Sequence, residues 1–280
     1  MSDDTSDCRQ ILGKELTQPM LPEPAGIEAV LAASPDPGFR ARVMHEYGII
    51  RRMTRHRVDL ESARVLDFGC GQGIAAASFA LRHPGATIFG LDIFPHVPER
   101  LRRILAEQTG AEIPENLSLL FSEPGSLPGE VCDLDLIYAW SVFEHVSFSQ
   151  LAETMKLLKG RLRASGALCL QICPLYFSPK GSHLYRFDST PWIHLIHEHD
   201  ALKSIVMMST WPEETKQREW KQFETLNRAT ADDICEAARA AGFSLAAQER
   251  LQTSETPPAR LMSAYNPDAL LTEEVRLLLV

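Results

Sequence analysis

From residue 64 onward, short apolar runs alternate with segments whose apolar residues recur every three or four positions. A short apolar run is typical of a buried strand, and the longer period is typical of a helix packed on one face. The runs predict strands at 64–68, 87–92, 117–121, 133–139 and 167–172. The segments between them predict helices at 73–82, 96–108 and 149–163. This alternation predicts an α/β fold, a doubly wound and mostly parallel sheet covered by helices.

The first 60 residues have a different pattern. Residues 1–25 are polar and contain several prolines, which is typical of a flexible arm, whereas 26–34 and 39–57 have helical spacing. The second of these segments has one apolar face, formed by Val43, Tyr47, Ile50 and Met53. We therefore expect residues 1–60 to form an N-terminal arm and a helical lid on a domain of residues 61–280.

The alternation stops at Pro174 for about 50 residues, and a stretch of this length inside a compact domain usually has a function. The segment 174–225 is rich in aromatic residues and histidines and has no clean period. We expect it to be an insertion at the substrate site. The pattern then resumes with a helix that Thr230 caps, followed by strands at 244–250 and 274–280.

Composition excludes several classes of protein. The 280 residues are 45% hydrophobic and 23% charged, which is ordinary for a globular chain, and the formal net charge is −9. A dedicated nucleic-acid binder needs a basic face, so this balance argues against a nucleic-acid partner. The basic run at 51–57 fits a solvated helix face.

The sequence also shows no motif for secretion, membrane insertion or metal binding. The N-terminus is acidic and polar, unlike a secretory signal, and the longest stretch without charged residues, 164–179, has 16 residues and contains Pro174. A membrane span needs roughly 20 residues. The six cysteines are scattered, and the CxxxC spacing of Cys169 and Cys173 fits strand packing better than zinc binding. We expect a cytoplasmic protein with reduced thiols, no membrane partner and no metal.

A glycine-rich loop is the most informative motif. Residues 65–73 read VLDFGCGQG, so a strand leads into three alternate glycines and then a helix. Glycines allow a tight turn and a close approach of the backbone to a ligand, and the helix N-terminus supplies free N–H donors. Asp67, inside the strand end, suits a cationic amino group better than a diphosphate. Asp92 ends the next strand, where a ribose diol is bound in nucleotide-binding sheets.

On these residues the chain resembles the class I S-adenosylmethionine (SAM) methyltransferases over about residues 60–280. The motifs that carry the resemblance are Val65–Gly73, Gly90–Asp92, Ser122–Pro128, Asp135–Val146, Leu226–Thr230 and Gly242-Phe243. It implies a Rossmann-like, seven-stranded sheet whose last strand is antiparallel. It also implies that Gly69, Gly71 and Gly73 line the methionine and ribose portions of SAM, that Asp67 lies near its amino group and that Asp92 chelates the ribose hydroxyls.

The same resemblance implies the adenine site. Ile93 and Leu127 would cover the two faces of the base. Glu123 stands where the family usually has an aspartate that contacts the adenine amine. Ser126 and Trp140 complete the residues expected to bind the cofactor.

The histidines give no clear acceptor site for methyl transfer. His145 follows Phe143-Glu at the start of a predicted helix, where packing and hydrogen bonding explain a histidine more often than catalysis does. His194 and His197 would share a helical face and suggest metal ligands, but no carboxylate or cysteine has a matching spacing, so a polar helix face is the simpler interpretation.

Aromatic residues follow the fourth and fifth predicted strands instead. The carboxyl ends of parallel strands converge on the ligand, so we expect Trp140 and Tyr176 near the sulfonium of SAM. Aromatic faces stabilise a desolvated cation by up to about 2 kcal/mol.

A narrower resemblance concerns the reaction. Cys173-Pro-Leu-Tyr176-Phe, then Gly181-Ser-His-Leu, and then Ser204 resemble the azetidine-2-carboxylate synthases, which are SAM cyclases of the methyltransferase fold. The resemblance implies that Tyr176 and Ser204 assist the attack of the α-amine of SAM on its own γ-carbon, which expels methylthioadenosine. Tyr176, Ser204 and Trp140 are thus the catalytic candidates, and the sequence favours cyclisation.

Two alternatives remain. One is methyl transfer to a small metabolite, which most proteins with this loop perform. The other is a non-catalytic SAM-binding module, which is less favoured because each glycine and carboxylate of the loop is present. A small-molecule substrate is expected in both enzyme readings, and the pattern does not indicate an oligomeric state.

Overall fold

The computed structural model describes residues 34–280. The arm predicted at 1–25, and the helix predicted at 26–34 except for its last residue, lie outside the described residues. The strands are β1 (Arg64–Phe68), β2 (Thr87–Asp92), β3 (Leu117–Phe121), β4 (Leu134–Trp140), β5 (Leu162–Ile172), β6 (Leu245–Gln252) and β7 (Thr272–Leu279). The helices are α1 (Pro37–Thr54), α2 (Ile74–Arg82), α3 (Val97–Gln108), α4 (Leu151–Lys159), α5 (Ile193–Ile196), α6 (His199–Met207), α7 (Glu213–Thr225), α8 (Ala231–Ala240), α9 (Ala259–Ala264) and α10 (Pro267–Leu271).

The strands form one seven-stranded sheet in the order β3-β2-β1-β4-β5-β7-β6. β1 pairs in parallel with both β2 and β4, and β2 pairs in parallel with β3. Strand order therefore reverses between β1 and β4, and ligands of open α/β sheets bind outside the carboxyl ends of the strands at such a point. The predicted α/β fold with a mostly parallel sheet is confirmed.

The chain forms two compact units. The first contains the described residues up to Trp140 together with Leu157–Leu170 and Leu278–Val280. The second contains Ser141–Lys156 and Gln171–Leu277. The lid role predicted for residues 1–60 and the substrate-site role predicted for 174–225 stay predictions.

In the first unit, the apolar face predicted for α1 is buried. Val43, Tyr47 and Ile50 belong to the core together with residues of α2 and the strands. The Tyr47 ring lies edge-on to Phe79 at 5.0 Å, and Phe79 stacks on Tyr138 at 4.8 Å. Burial of large apolar side chains of this kind contributes about 1.5–3 kcal/mol each.

Polar contacts join α1 to α2. The Val43 carbonyl accepts a hydrogen bond from Ser78 Oγ at 2.8 Å and another from the buried Arg82 guanidinium at 3.0 Å. The Tyr47 hydroxyl bonds to His83 Nε2 at 3.0 Å. These contacts fix the position of α1 relative to the helix that follows the glycine loop.

The second unit has helices within 174–225, the segment without a clean period in the sequence. It contains α5, α6 and α7, and the last two pack through Leu202 and Val206 against Trp220 and Phe223. The α7 sequence hides its period because charged residues surround its apolar positions. One of them, Glu219, is itself buried beside the Arg186 guanidinium, with 3.5 Å between the charged atoms.

Two helices end earlier than predicted. α4 stops at Lys159 because β5 begins at Leu162, where an exposed polar stretch disguises the start of the strand. α5 stops at Ile196, and His197 has extended backbone angles (φ −103°, ψ 146°). His194 and His197 therefore do not share a helical face, which corrects that part of the sequence interpretation.

Candidate active site

The glycine loop follows β1 and leads into α2. Gly69, Gly71 and Gly73 have φ values of 78°, 56° and 74°, in the left-handed region that favours glycine. The N–H groups of Gly69 and Cys70 donate to the Leu91 carbonyl at 2.8 and 3.0 Å. The loop is thus held against β2.

Asp92 joins the loop to the end of β2. Its Oδ2 accepts a hydrogen bond from the Gly71 N–H at 2.7 Å, and its Oδ1 accepts one from the Phe94 N–H at 3.1 Å. Burial raises the pKa of Asp92, and the two backbone donors oppose that rise because they stabilise the charged form. The Asp92 carbonyl also accepts from the Ser122 N–H at 3.1 Å, so one residue connects the loop with the ends of β2 and β3.

Three large apolar side chains are exposed at these strand ends. Ile93 and Phe94 directly follow β2 and are 54% and 61% exposed, and Phe121, the last residue of β3, is 47% exposed. Phe121 lies in register with Asp92. An apolar surface beside a carboxylate is a candidate ligand site. Ile93 was predicted here, whereas the sequence analysis missed Phe94 and Phe121. Their position at the carboxyl ends of adjacent strands is the sequence feature that could have indicated them.

The other predicted adenine-site residues follow β3. Glu123 and Ser126 are exposed and belong to one turn, in which the Ser126 N–H donates to the Glu123 carbonyl at 3.1 Å. Leu127 is buried, and its carbonyl accepts a hydrogen bond from Arg161 Nη2 at 3.1 Å. The first unit thus places the predicted SAM-binding residues at the loop and at the carboxyl ends of β1 to β4.

Asp67 and Tyr138 are neighbours across β1 and β4. Burial raises the pKa of Asp67 well above its usual range, and the nearby Glu46 carboxylate raises it further. Asp67 Oδ2 is buried, and the Tyr138 hydroxyl stands beside the carboxylate without the geometry of a full hydrogen bond. Glu46 was missed by the sequence analysis, which considered only the apolar face of α1.

Trp140 ends β4 in the first unit. Its ring is partly buried and meets the His45 ring edge-on at 6.2 Å. Trp140 lies at the carboxyl end of β4, as predicted. Its contact with the sulfonium of SAM stays a prediction.

Tyr176 belongs to the second unit and is 8% exposed. Its ring meets the rings of His194 and Phe177 at 4.9 and 5.3 Å, and the Arg228 guanidinium lies 5.3 Å from its centre. Burial raises the pKa of the Tyr176 hydroxyl, and Arg228 opposes that rise. His194 Nε2 donates to the Tyr176 carbonyl at 2.5 Å, and burial lowers the pKa of His194 to about 4.

Ser204 lies on the solvent side of α6. Its hydroxyl donates to the Asp200 carbonyl at 2.8 Å, whereas Leu202 and Val206 of the same helix join the buried cluster that contains Tyr176. The structure therefore brings the Tyr176 ring into this cluster and does not bring the Ser204 hydroxyl there. The catalytic roles of both residues stay predictions.

The segment after β4 carries His145 and Glu144. The His145 ring lies 5.7 Å from the His183 ring. The Glu144 carboxyl is buried with no hydrogen bond to another described residue, and burial raises its pKa to about 8. Asn227 fixes this turn, because its Nδ2 donates to the carbonyls of Phe143 and Val146 at 2.5 and 2.8 Å. Glu144 and Asn227 were not singled out from the sequence.

Neither a metal cluster nor a membrane helix occurs in the described part of the chain. Within residues 34–280, no group of three or more His, Cys, Asp or Glu side chains is arranged to hold a metal ion. Over the same residues, no helix combines the length and the apolar character needed to cross a membrane.

Comparison with known families decides the classification. The family model of a methyltransferase domain matches residues 44–248, which is most of the chain. The chain belongs to this methyltransferase family. The match includes the glycine loop, Asp92 and the segment that contains Tyr176. The chain is accordingly an enzyme of the SAM-dependent methyltransferase fold.

Solved structures of methyltransferases have the same fold. Magnesium protoporphyrin IX methyltransferase (ChlM) from Synechocystis PCC 6803 with bound SAH has a TM-score of 0.52 at 15% identity, over 99% of this chain and 99% of that one. PKMT2 from Rickettsia typhi in complex with AdoHcy has a TM-score of 0.52 at 17% identity, over 93% of this chain and 54% of that one. A SAM-dependent methyltransferase from Aquifex aeolicus has a TM-score of 0.50 at 13% identity, over 88% and 94%. A search of curated proteins found no match.

The geometry of Gly73 gives a direct test of the loop. A Cβ at this position would lie 3.2 Å from Leu101 Cδ2, and φ is 74°. We expect Gly73→Ala to lower the free energy of unfolding by about 1–2 kcal/mol, because both the backbone and Leu101 must shift. Urea denaturation measures this change. Gly129→Ala is the control, since a Cβ there meets open space and φ is not in the left-handed region; equal losses in both variants would contradict the argument.

Proposed function

We propose that this enzyme binds S-adenosylmethionine in its first unit, at the glycine loop and the ends of β1 and β2. One observation carries the proposal: the Asp92 carboxylate is held beside a left-handed glycine loop and next to exposed Ile93 and Phe94. Each carboxylate oxygen accepts one backbone N–H and keeps a further lone pair, which suits the two hydroxyls of a ribose. The apolar side chains suit the faces of adenine.

The end of β1 fits the amino group of the same ligand. Asp67 Oδ2 is buried, and a buried oxygen without a full hydrogen bond costs about 1–3 kcal/mol. A cationic amine would satisfy it. Gly69, Gly71 and Gly73 would then line the methionine and ribose portions, and Glu123, Ser126 and Leu127 would lie along the adenine. The SAH and AdoHcy named in two of the related structures support this assignment.

Removal of the apolar surface tests the binding site. We expect the double variant Ile93→Ala/Phe94→Ala to bind SAM at least about tenfold more weakly, because stacking on a base is worth about 1–3 kcal/mol. Isothermal titration calorimetry measures the affinity. Phe148→Ala is the matched control, since Phe148 is 54% exposed and lies outside this surface. Unchanged affinity in the double variant would show that adenine binds elsewhere.

For the reaction we propose intramolecular cyclisation of SAM to azetidine-2-carboxylate. In this reaction the α-amine attacks the γ-carbon and the carbon–sulfur bond breaks, so methylthioadenosine leaves. The proposal is supported by the resemblance at 173–177 and 181–184 to the azetidine-2-carboxylate synthases. It depends on Tyr176 more than on Ser204, whose hydroxyl bonds within its own helix.

Methyl transfer to a small metabolite is the second candidate. The matching family model favours it, because that family is defined by a methyltransferase domain. The solved structures of the same fold are named as methyltransferases as well.

Incubation with SAM alone distinguishes the two reactions. Cyclisation yields methylthioadenosine and a four-membered imino acid without any second substrate, at a rate well above that of spontaneous SAM decay. Liquid chromatography with mass spectrometry detects both products. If only adenosylhomocysteine forms, and only after an acceptor is added, the enzyme is a methyltransferase and the cyclase proposal is wrong.

Tyr176 has a separate test. We expect Tyr176→Phe to slow product formation about tenfold or more while SAM affinity stays within about threefold, because only a hydroxyl that orients the reacting group is lost. Steady-state kinetics and calorimetry give the two quantities. Tyr185→Phe is a control that removes a hydroxyl from another tyrosine of the same segment. An unchanged rate in Tyr176→Phe would remove Tyr176 from the mechanism.

A further inference from the structure

One face of α1 carries three polar side chains. Arg42, His45 and Glu46 are spaced at i, i+3 and i+4, which places them together on a helix surface. Arg42 Nη1 donates to Gln72 Oε1 of the glycine loop at 2.7 Å, and the His45 ring meets the Trp140 ring. Glu46 therefore lies on the face of α1 that contacts the glycine loop on one side and the end of β4 on the other.

Glu46 is close to the buried groups at the end of β1 and β4. Its carboxylate raises the pKa of both Asp67 and Tyr138, whose strands pair in register at these two residues. Burial raises the pKa of Glu46 itself to about 7, and the Arg42 guanidinium opposes that rise. The Glu46 charge thus acts on both groups at the ends of β1 and β4, and these three acidic groups define the pocket.

The pocket has unused hydrogen-bonding capacity. Asp67 is 3% exposed, and its Oδ2 has no partner of normal geometry in the described residues. The fully buried Tyr138 hydroxyl, which stands beside this carboxylate, also lacks a hydrogen bond of normal geometry. Two carboxylates that share a buried site repel each other, and a cation between them relieves that repulsion. This polar set is therefore complementary to a positively charged group with several N–H donors.

We propose that Glu46 is a second carboxylate, beside Asp67, that binds the α-amino group of S-adenosylmethionine. The inference rests on the proposed binding of SAM and adds a residue of α1 to that site. An ammonium group has three N–H donors, so two carboxylates and one further acceptor saturate it. Arg42 Nη1 is bonded to Gln72 of the glycine loop, and the Arg42 charge also acts on Glu46.

The same subsite prepares the amine for the proposed cyclisation. The α-ammonium must lose one proton before it can attack, and Glu46 takes that proton. The nitrogen lone pair then forms the bond to the γ-carbon, and the electron pair of the carbon–sulfur bond goes to sulfur. Methylthioadenosine leaves neutral, and the ring nitrogen of the product carries two hydrogens and the positive charge. An α-amino group normally has a pKa of about 7.7–8.0, near that of Glu46, so the transfer is almost balanced.

Two ligands and one matched control test the subsite. SAM carries the amino-acid portion, whereas methylthioadenosine has the same adenosine portion without it. We expect Glu46→Gln to weaken SAM binding about tenfold or more and to leave methylthioadenosine binding within about twofold. Isothermal titration calorimetry measures both affinities. Glu107→Gln makes the same charge change at an exposed position of α3, and its affinities for both ligands should match those of the unmodified enzyme.

The outcomes separate this inference from the proposed function. Unchanged SAM affinity in Glu46→Gln overturns the inference, and so does an equal loss for both ligands, which would indicate general damage to the pocket. Urea denaturation of the variant shows whether it is folded at the temperature of the titration. Failure of the unmodified enzyme to bind either ligand would instead overturn the proposed SAM site.

Discussion

The hydrogen bond from the Gly71 N–H to the Asp92 carboxylate holds the candidate site together. It joins residues 21 positions apart, and the Leu91 carbonyl adds two more bonds to the same loop. A segment with three left-handed glycines has many accessible conformations, and these contacts select one of them during folding. Contacts within the chain itself hold the loop, and a loop held in this way loses less entropy on binding a ligand.

The sequence predicted the first half of the fold better than the second. The limits of β1, β2 and β3 agree with prediction because each apolar run is bounded by charged, glycine or proline-containing segments. Helices α5, α6 and α7 of the second unit escaped prediction, whereas α8 was predicted from its Thr230 cap. Helix α7 buries Glu219, which pairs with the adjacent Arg218 and with Arg186. Spacing alone cannot show that an acid among exposed charged residues is buried.

The site divides along the same line. The glycines, Asp67 and Asp92 were recognisable because their chemistry depends on local spacing. Glu46 was not recognisable, because its role depends on which elements α1 packs against. The sequence pattern of α1 reveals only its apolar face. Ser204 was singled out from a short resemblance. The packing of Leu202 and Val206 determines the orientation of its helix, and the Ser204 hydroxyl lies on the exposed side.

The packing of α1 determines where an autonomous fragment of this chain can begin. A chain cut between α1 and β1 would keep every strand of the sheet, yet it would lose Val43, Tyr47 and Ile50 from the core and expose Arg82, which bonds to the Val43 carbonyl. The minimal folding unit therefore includes α1. The helix is part of the architecture on which the site is built, and shortened versions of the enzyme should start before Pro37.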